Sequence, residues 1–251
     1  MQALHVHELL PAGARPAIEK ALARPLSYTA AYVVAPGPRP RAVVVLGEAH
    51  IKLAEAAELG KGVVSRFELR GVETFQRKQV VLGTLLGVLI QAPRTLLRVA
   101  TFGLVKGSTI TEAKALDHGH TADLEPTSDV PLALHVASVY LTVLFSVLYA
   151  TAILNLLGVF VPWLVAAAAL LQLHLLALVP AYLLRREPWA WLIHPAVGLV
   201  TVRDALMADG TVRMLREHPD PEAAVVVMGR AHVPGYVREL VERHGFQRAE
   251  L

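Results

Sequence analysis

The chain has 251 residues, a net charge of +3 and no cysteine, which excludes disulfides, thiolate metal sites and a cysteine nucleophile. Hydrophobic residues make up 54% and mean hydropathy is +0.47, high for a soluble domain and traceable to one long uncharged tract. Scattered arginines raise the pI to about 9.3, but no compact basic run interleaved with aromatics points to nucleic acid.

The opening residues, MQALHVHELLPAGARP, lack a basic region followed by an apolar core, so no secretory signal is expected. Pro16–Arg24 is predicted as a helix and Ser27–Val34 as a first strand, with the PGPRPR stretch at Pro36–Arg41 a polar break. Ala42–Ile51 reads AVVVLGEAHI. Three consecutive valines suit a strand buried on both faces, as in a parallel sheet covered by helices. Gly47 after the run permits a sharp turn or a close approach, and His50 then sits beyond the strand's carboxyl end. Leu53, Ala57, Gly60 and Val64 recur at helical spacing behind it, and Glu68–Thr74 reads as a short strand ending at Glu73.

Val80–Ile90 is apolar but only 11 residues long, too short to span a bilayer. Arg77 and Lys78 precede it, and Arg94 and Arg98 follow. Two readings stand: a helix lying in a membrane surface, or one packed in the soluble core. Gly83 and Gly87 would allow close helix packing. Gly107–Leu116 is predicted as an amphipathic helix, and Asp117–Asp129 as an acidic loop. His118, His120, Asp117 and Asp123 in that loop are metal-ligand residue types, but no fixed element orients them, so a solvated loop is expected.

Between Asp129 and Arg185 lie 55 residues without one Asp, Glu, Lys or Arg. That is too long for one span and suits two, near Pro131–Leu154 and Val159–Leu184, with Asn155, Gly158 and Pro162 marking the turn. Trp163 beside the turn and Trp189 and Trp191 past the second span fit interfacial belts. His135 and His174 fall inside the spans, where bonds across the hairpin would satisfy them.

The stretch Ala224–Val233, AVVVMGRAHV, then repeats the first motif with seven of ten residues identical. Val233, Val237, Leu240 and Val241 continue it as a helix. Two equivalent strand ends, carrying Gly47 with His50 and Gly229 with His232, would aim both imidazoles into one cleft, since ligands collect outside the carboxyl ends of strands in open α/β sheets. The expected fold is α/β, with a central, largely parallel or mixed sheet flanked by helices and interrupted by a transmembrane helical hairpin. Residues 1–129 and 185–251 form the two parts of the α/β domain, and 130–184 the hairpin.

The paired Gly-x-x-His motifs, the acid Glu73 after the first and Arg203 upstream of the second resemble the TraB/PrgY pheromone-shutdown family. That family is grouped with Tiki-type membrane metalloproteases and, more distantly, with erythromycin esterases and haem-binding lipoproteins of the ChaN kind. The resemblance covers Arg41–Glu73 and Val200–Phe246, with Gly107–Leu116 in addition. It implies an α/β domain whose two histidines and an acid form a metal-dependent, hydrolytic site. His50, His232 and Glu73 would hold a divalent Mn, Co or Zn ion, which activates water and polarises a carbonyl. Glu48 inside the first motif would act as general base, and Arg203 would stabilise an oxyanion or grip a substrate carboxylate. A metal-free variant would use histidine as the base. In the family the membrane anchor follows the catalytic domain, whereas here the hairpin lies between the motifs. The expected partners are the lipid bilayer and a peptide or membrane-proximal substrate, with homo-oligomers through the hairpin an open possibility. Arg185 and Arg186 place the α/β domain on the inner side of a bacterial cytoplasmic membrane by the positive-inside rule. A reading of another class is a non-catalytic membrane protein that sequesters a peptide, or haem through histidine.

Overall fold

The computed structural model describes residues 4–49, 52–74, 78–102, 105–106, 109–125, 130–185, 187 and 189–251. His50, Arg77, Gly107, Asp129 and Arg186, singled out above, lie outside the described residues. In chain order the strands are β1 (Leu4–His5), β2 (Tyr28–Ala35), β3 (Arg41–Glu48), β4 (Lys52–Leu53), β5 (Leu69–Val72), β6 (Val105–Lys106), β7 (His120–Asp123), β8 (Ala223–Gly229) and β9 (Gln247–Glu250). The helices are α1 (Ala14–Leu22), α2 (Ala54–Val64), α3 (Gly83–Ala100), α4 (Thr109–Lys114), α5 (Leu132–Leu156), α6 (Pro162–Leu175), α7 (Leu178–Leu183), α8 (Ala190–Ile193), α9 (Gly198–Glu217) and α10 (Val233–His244).

The chain divides into two compact units. The first comprises 1–75, 97–126 and 204–251, and is an α/β sandwich around a mixed sheet in the order β1-β9-β2-β3-β8-β5-β7. Four neighbours, β3, β8, β5 and β7, run parallel, while β2 is antiparallel to β3 and to β9. The valine runs do what their composition predicts. On one face Val44, Leu46, Val225 and Val227 pack with Ile18 of α1, Val63 of α2 and Ala113 of α4. On the other, Val43, Val45, Val226 and Met228 pack with Met207 and Met214 of α9 and Tyr236 and Leu240 of α10. Burial on both faces leaves no polar alternation, and β8 is buried at every position.

The register revises one expectation. The repeats are neighbouring parallel strands, but they pair one residue out of step: Gly47 lies beside Met228, and Glu48 beside Gly229. A one-residue slip moves a side chain to the opposite face. Val43 therefore faces α9 and α10, whereas its repeat counterpart Val225 faces α1 and α2. The two motifs are sequence repeats without being geometric equivalents.

The stretch read as an acidic loop holds β7, which pairs with β5 through Leu69–His120 and Val72–Asp123. Its polar sequence hid it, because an outermost strand needs only a backbone ladder on one side.

The second unit comprises 76–96 and 127–203. Helix α5 has 25 residues and the α6–α7 segment 22, with mean hydropathies of 2.0 and 2.1, so both are long and apolar enough to cross a membrane. Most of their apolar surface is not covered by other parts of the chain. The break between α6 and α7 precedes Pro180, which has no N–H to donate to the turn before it. Helix α3 is longer than the apolar stretch that announced it, running through Pro93 to Ala100. Pro93 cannot donate to the Leu89 carbonyl, and the Tyr149 hydroxyl of α5 does so instead at 2.9 Å. Gly83, Leu86 and Gly87 are its buried positions.

Candidate functional site

The parallel strands place their carboxyl ends together, so Glu48, Glu73, Asp123 and the turn after Gly229 fall at one end of the sheet. From Gly229 the chain turns directly into α10: the His232 backbone N–H donates to the Gly229 carbonyl at 2.9 Å, and Pro234 occupies the first turn of the helix. This delivers the His232 imidazole into a buried, acidic setting. Its Nδ1 lies 2.7 Å from Oδ1 of Asp204 on α9, and its Nε2 lies 3.6 Å from Oε1 of Glu73. The other Glu73 oxygen accepts the Gly229 N–H at 2.5 Å. Side-chain exposure is 7% for His232, 9% for Glu73 and 2% for Asp204.

Two consequences follow from this geometry. Asp204 accepts but cannot donate while ionised, so Nδ1 carries a proton toward it and Nε2 is the ring nitrogen that faces Glu73. Two carboxylates flanking one buried ring also create a negative pocket suited to a cation or a transferable proton. Helix α10 reaches this position because residue 235 is glycine: a Cβ there would overlap the Asp204 carboxylate.

Asp204 was not among the residues singled out by sequence, although Arg203 beside it was. Its signal was present. Asp204, Met207, Ala208 and Thr211 recur at helical spacing and are all buried, so an acid occupies the buried stripe of α9. Arg203 is also buried, at 8% exposure.

Glu48 has other partners. It is fully buried, and its carboxylate accepts the backbone N–H of Thr109, the first residue of α4, at 2.8 Å. The neighbouring Tyr28 phenol bonds the Ala56 carbonyl and the Thr109 hydroxyl. Burial pushes Tyr28 up to about 12, the Thr109 bond opposes this, and the Glu48 charge adds to it. Leu46, two residues earlier in β3, faces α1 and α2, so alternation puts Glu48 on that face; Asp204 and His232 come from α9 and α10 on the other. Gly47 faces α10, where Val233 and Thr29 leave no room for a Cβ. The structure thus joins Glu73 with His232 and directs Glu48 toward α4.

Several other candidates have structural partners. His118 meets the Ser65 carbonyl, the His120 ring stacks on His218, and Asp123 bonds Lys114 and Thr74. Inside the apolar unit, His135 accepts the Val81 N–H, and His174 bonds Tyr140 across the α5–α6 hairpin at 2.6 Å. A cleft of about 430 Å³ adjoins the start of α10, lined by Pro25, Tyr28, Thr29, Arg230, Val233 and Pro234. No family model, no curated protein and no solved structure matches the chain.

Proposed function

We propose that this chain is a membrane-anchored hydrolase whose reaction centre is His232, held between Asp204 and Glu73. The observation that carries the reading is the buried Asp204–His232–Glu73 chain at the carboxyl end of a parallel sheet. A histidine whose Nδ1–H is fixed by a carboxylate presents its Nε2 in one orientation, the arrangement used to ligate a metal or to accept a proton.

Among the described residues no group of three or more His, Asp or Glu side chains is placed to hold a metal, so a metal in this reading rests on two described ligands and on His50. Nε2 of His232 and Oε1 of Glu73 are 3.6 Å apart, close enough for one ion with ligand bonds of about 2 Å to meet both. His50 is the third ligand in this proposal. Such an ion would supply Lewis acidity for a hydrolytic step. The chain's own residues do the rest. Asp204 fixes the imidazole tautomer, the Gly229 N–H fixes Glu73, and Arg203 carries a permanent positive charge one residue from Asp204 for a substrate carboxylate or oxyanion. Glu48 acts here as a positioning residue: its bond to Thr109 secures α4 against the end of β3. Without metal, the Nε2 lone pair takes a proton from water directly.

In this reading helices α5 and α6–α7 anchor the protein in the bilayer, and the positive-inside rule applied to Arg185 and Arg186 supports a cytoplasmic end for the second span. The substrate class that suits such an anchored site is a peptide or another membrane-proximal acyl compound. Metal analysis of the full-length protein tests the centre, comparing wild type with His232→Ala, Glu73→Gln and His50→Ala. Stoichiometric metal in wild type and its loss in all three supports the metal-dependent reading. Equal metal content in every variant removes the metal. If a panel of peptide and ester substrates also shows no turnover, hydrolysis falls, leaving sequestration of a peptide or haem.

A further inference from the structure

We propose that His194, Tyr140 and His174 form a proton relay in the second unit, a site that binds one excess proton and shares it between two imidazoles through a phenol hydroxyl. The three side chains come from different elements. Tyr140 lies on α5, His174 near the end of α6, and His194 in the turn between α8 and α9. The two imidazoles stack with centroids 4.8 Å apart and planes 16° from parallel, and the Tyr140 ring meets both edge-on. His194 is fully buried. One histidine would satisfy the Tyr140 hydroxyl; the second, aimed at the same oxygen, makes that oxygen a bridge.

The hydrogen bonds give the chain a direction. Nδ1 of His194 accepts the Ala196 N–H at 3.3 Å, so a neutral His194 carries its proton on Nε2. That Nε2–H donates to the Tyr140 oxygen at 3.4 Å, and the Tyr140 hydroxyl donates to Nδ1 of His174 at 2.6 Å. His174 then keeps its own proton on Nε2. A proton arriving at Nδ1 of His194 displaces the Ala196 bond and starts the exchange. The Nε2–H passes to the Tyr140 oxygen as the Tyr140 proton passes to Nδ1 of His174, and His174 becomes the imidazolium. Tyrosine is neutral before and after, and the reverse steps return the proton. A metal suits this geometry less well: an imidazole ligating through Nε2 turns a protonated Nδ1 toward an acceptor, whereas Nδ1 of His194 faces a donor.

The surroundings limit the site to one proton. Two imidazolium rings this close would repel, and burial together with the His174 neighbour holds His194 below its ordinary value. Leu171 and Leu175 of α6, Leu199 of α9 and Leu86 and Ile90 of α3 pack in one apolar cluster with Tyr140. Other titratable groups on the packed helices have partners of their own: His135 the Val81 N–H, Tyr149 the Leu89 carbonyl, and Tyr182 the Arg185 side chain. The first charges of α3 and α9 are Arg94 and Arg203, each one turn past Ile90 and Leu199, and both are cations that oppose a second proton. Titratable groups within so apolar a unit are the material of proton relays. The inference does not depend on the His232 centre.

Ring-nitrogen NMR of the full-length protein, isotope-labelled at histidine and held in phospholipid nanodiscs, tests it, with His174→Gln and His194→Gln assigning the signals. At neutral pH both rings should be neutral with the proton on Nε2. On acidification the first proton should move the signals of both rings together, each by a fraction, with the second step lower by more than about one pH unit. Tyr140→Phe keeps the aromatic ring and removes the bridge, so its first proton should reside on one ring and leave the other unchanged. Wild-type rings that titrate independently overturn the proposal, and this measurement decides the matter alone if Tyr140→Phe does not fold. Rings that still move together in Tyr140→Phe overturn it too. A pair that stays neutral throughout the pH range in which circular dichroism shows the fold intact reduces the triad to a structural tie across the hairpin. Stoichiometric zinc binding that is lost in all three variants identifies a metal as the occupant and likewise overturns the proposal.

Discussion

A single carboxylate, Asp204, decides which ring nitrogen of His232 faces the site. In Asp204→Asn the side-chain oxygen still accepts the Nδ1–H, but the charge that favours this tautomer is gone. Metal affinity or turnover should fall about 10–100-fold while the fold persists. A unchanged pH–rate profile and unchanged metal content in this variant would reduce Asp204 to a packing role. Gly235→Ala should reproduce the loss from the other side, since its Cβ overlaps the Asp204 carboxylate and must push α10 or α9 away. His232 could be read from sequence because the motif repeats. Asp204 could have been read as an acid in an apolar helical stripe, but the neighbouring Arg203 drew attention through the family resemblance. The tie between Glu48 and Thr109 was not legible, because 61 residues separate the two.

At the scale of elements, the apolar strands of the sheet's centre were legible, while the polar strand β7 and the alignment of β3 with β8 were not. A valine run announces a strand buried on both faces, but identical runs suggest pairing in step, whereas β3 and β8 pair one residue apart, with Gly47 under Val233 of α10. Gly47→Ala should cost about 1–3 kcal/mol in denaturant unfolding, because Val233 and Thr29 occupy the space of the added methyl. Gly62→Ala on α2 meets nothing within 4 Å and should instead stabilise by up to about 1 kcal/mol. Equal effects at both sites would mean that space at Gly47 is not limiting. Strand β7 carries its own pH signature. Burial opposes ionisation of Asp123, but bonds from Lys114 and Thr74 and the Lys114 charge outweigh it and hold the carboxyl below its ordinary value. Its stabilisation is therefore complete above the ordinary carboxylate pKa and is lost as pH falls through the lowered folded value. Asp123→Asn should cost about 0.2–1 kcal/mol at neutral pH, the range for an exposed pair. The difference from wild type should close in acid; a difference that grows there would contradict the assignment. Helix α3 shows the converse limit. Pro93 ordinarily stops a helical reading, and the Leu89 carbonyl it leaves without a helix donor is met by the Tyr149 hydroxyl, 60 residues away in sequence.

For the whole molecule, the decisive fact is that an α/β sheet and a charge-free helical pair occupy one short chain, with the second inserted into the first. The first unit resumes at Asp204 and completes its sheet with β8 and β9, so its halves must end on the same side of any bilayer. A two-span hairpin satisfies this and a single span would not. At 1.5 Å per residue, α5 extends about 37 Å and the α6–α7 segment about 33 Å, each sufficient for a hydrocarbon core of about 30 Å. Trp163 beside the turn and Trp189 past the second span, both exposed, then fall near opposite interfaces. Cysteines introduced at Leu157, in the turn, and at Arg39, in the exposed loop between β2 and β3, should therefore react with an impermeant maleimide from opposite sides of sealed vesicles. If α5 and α6–α7 were instead a soluble hairpin, both cysteines would react from the same side. The orientation follows from the same experiment: in vesicles that expose the inner face, Arg39→Cys should label without detergent and Leu157→Cys only after the membrane is dissolved. The reverse pattern would keep the hairpin but place the α/β unit, and the proposed centre with it, on the outer face.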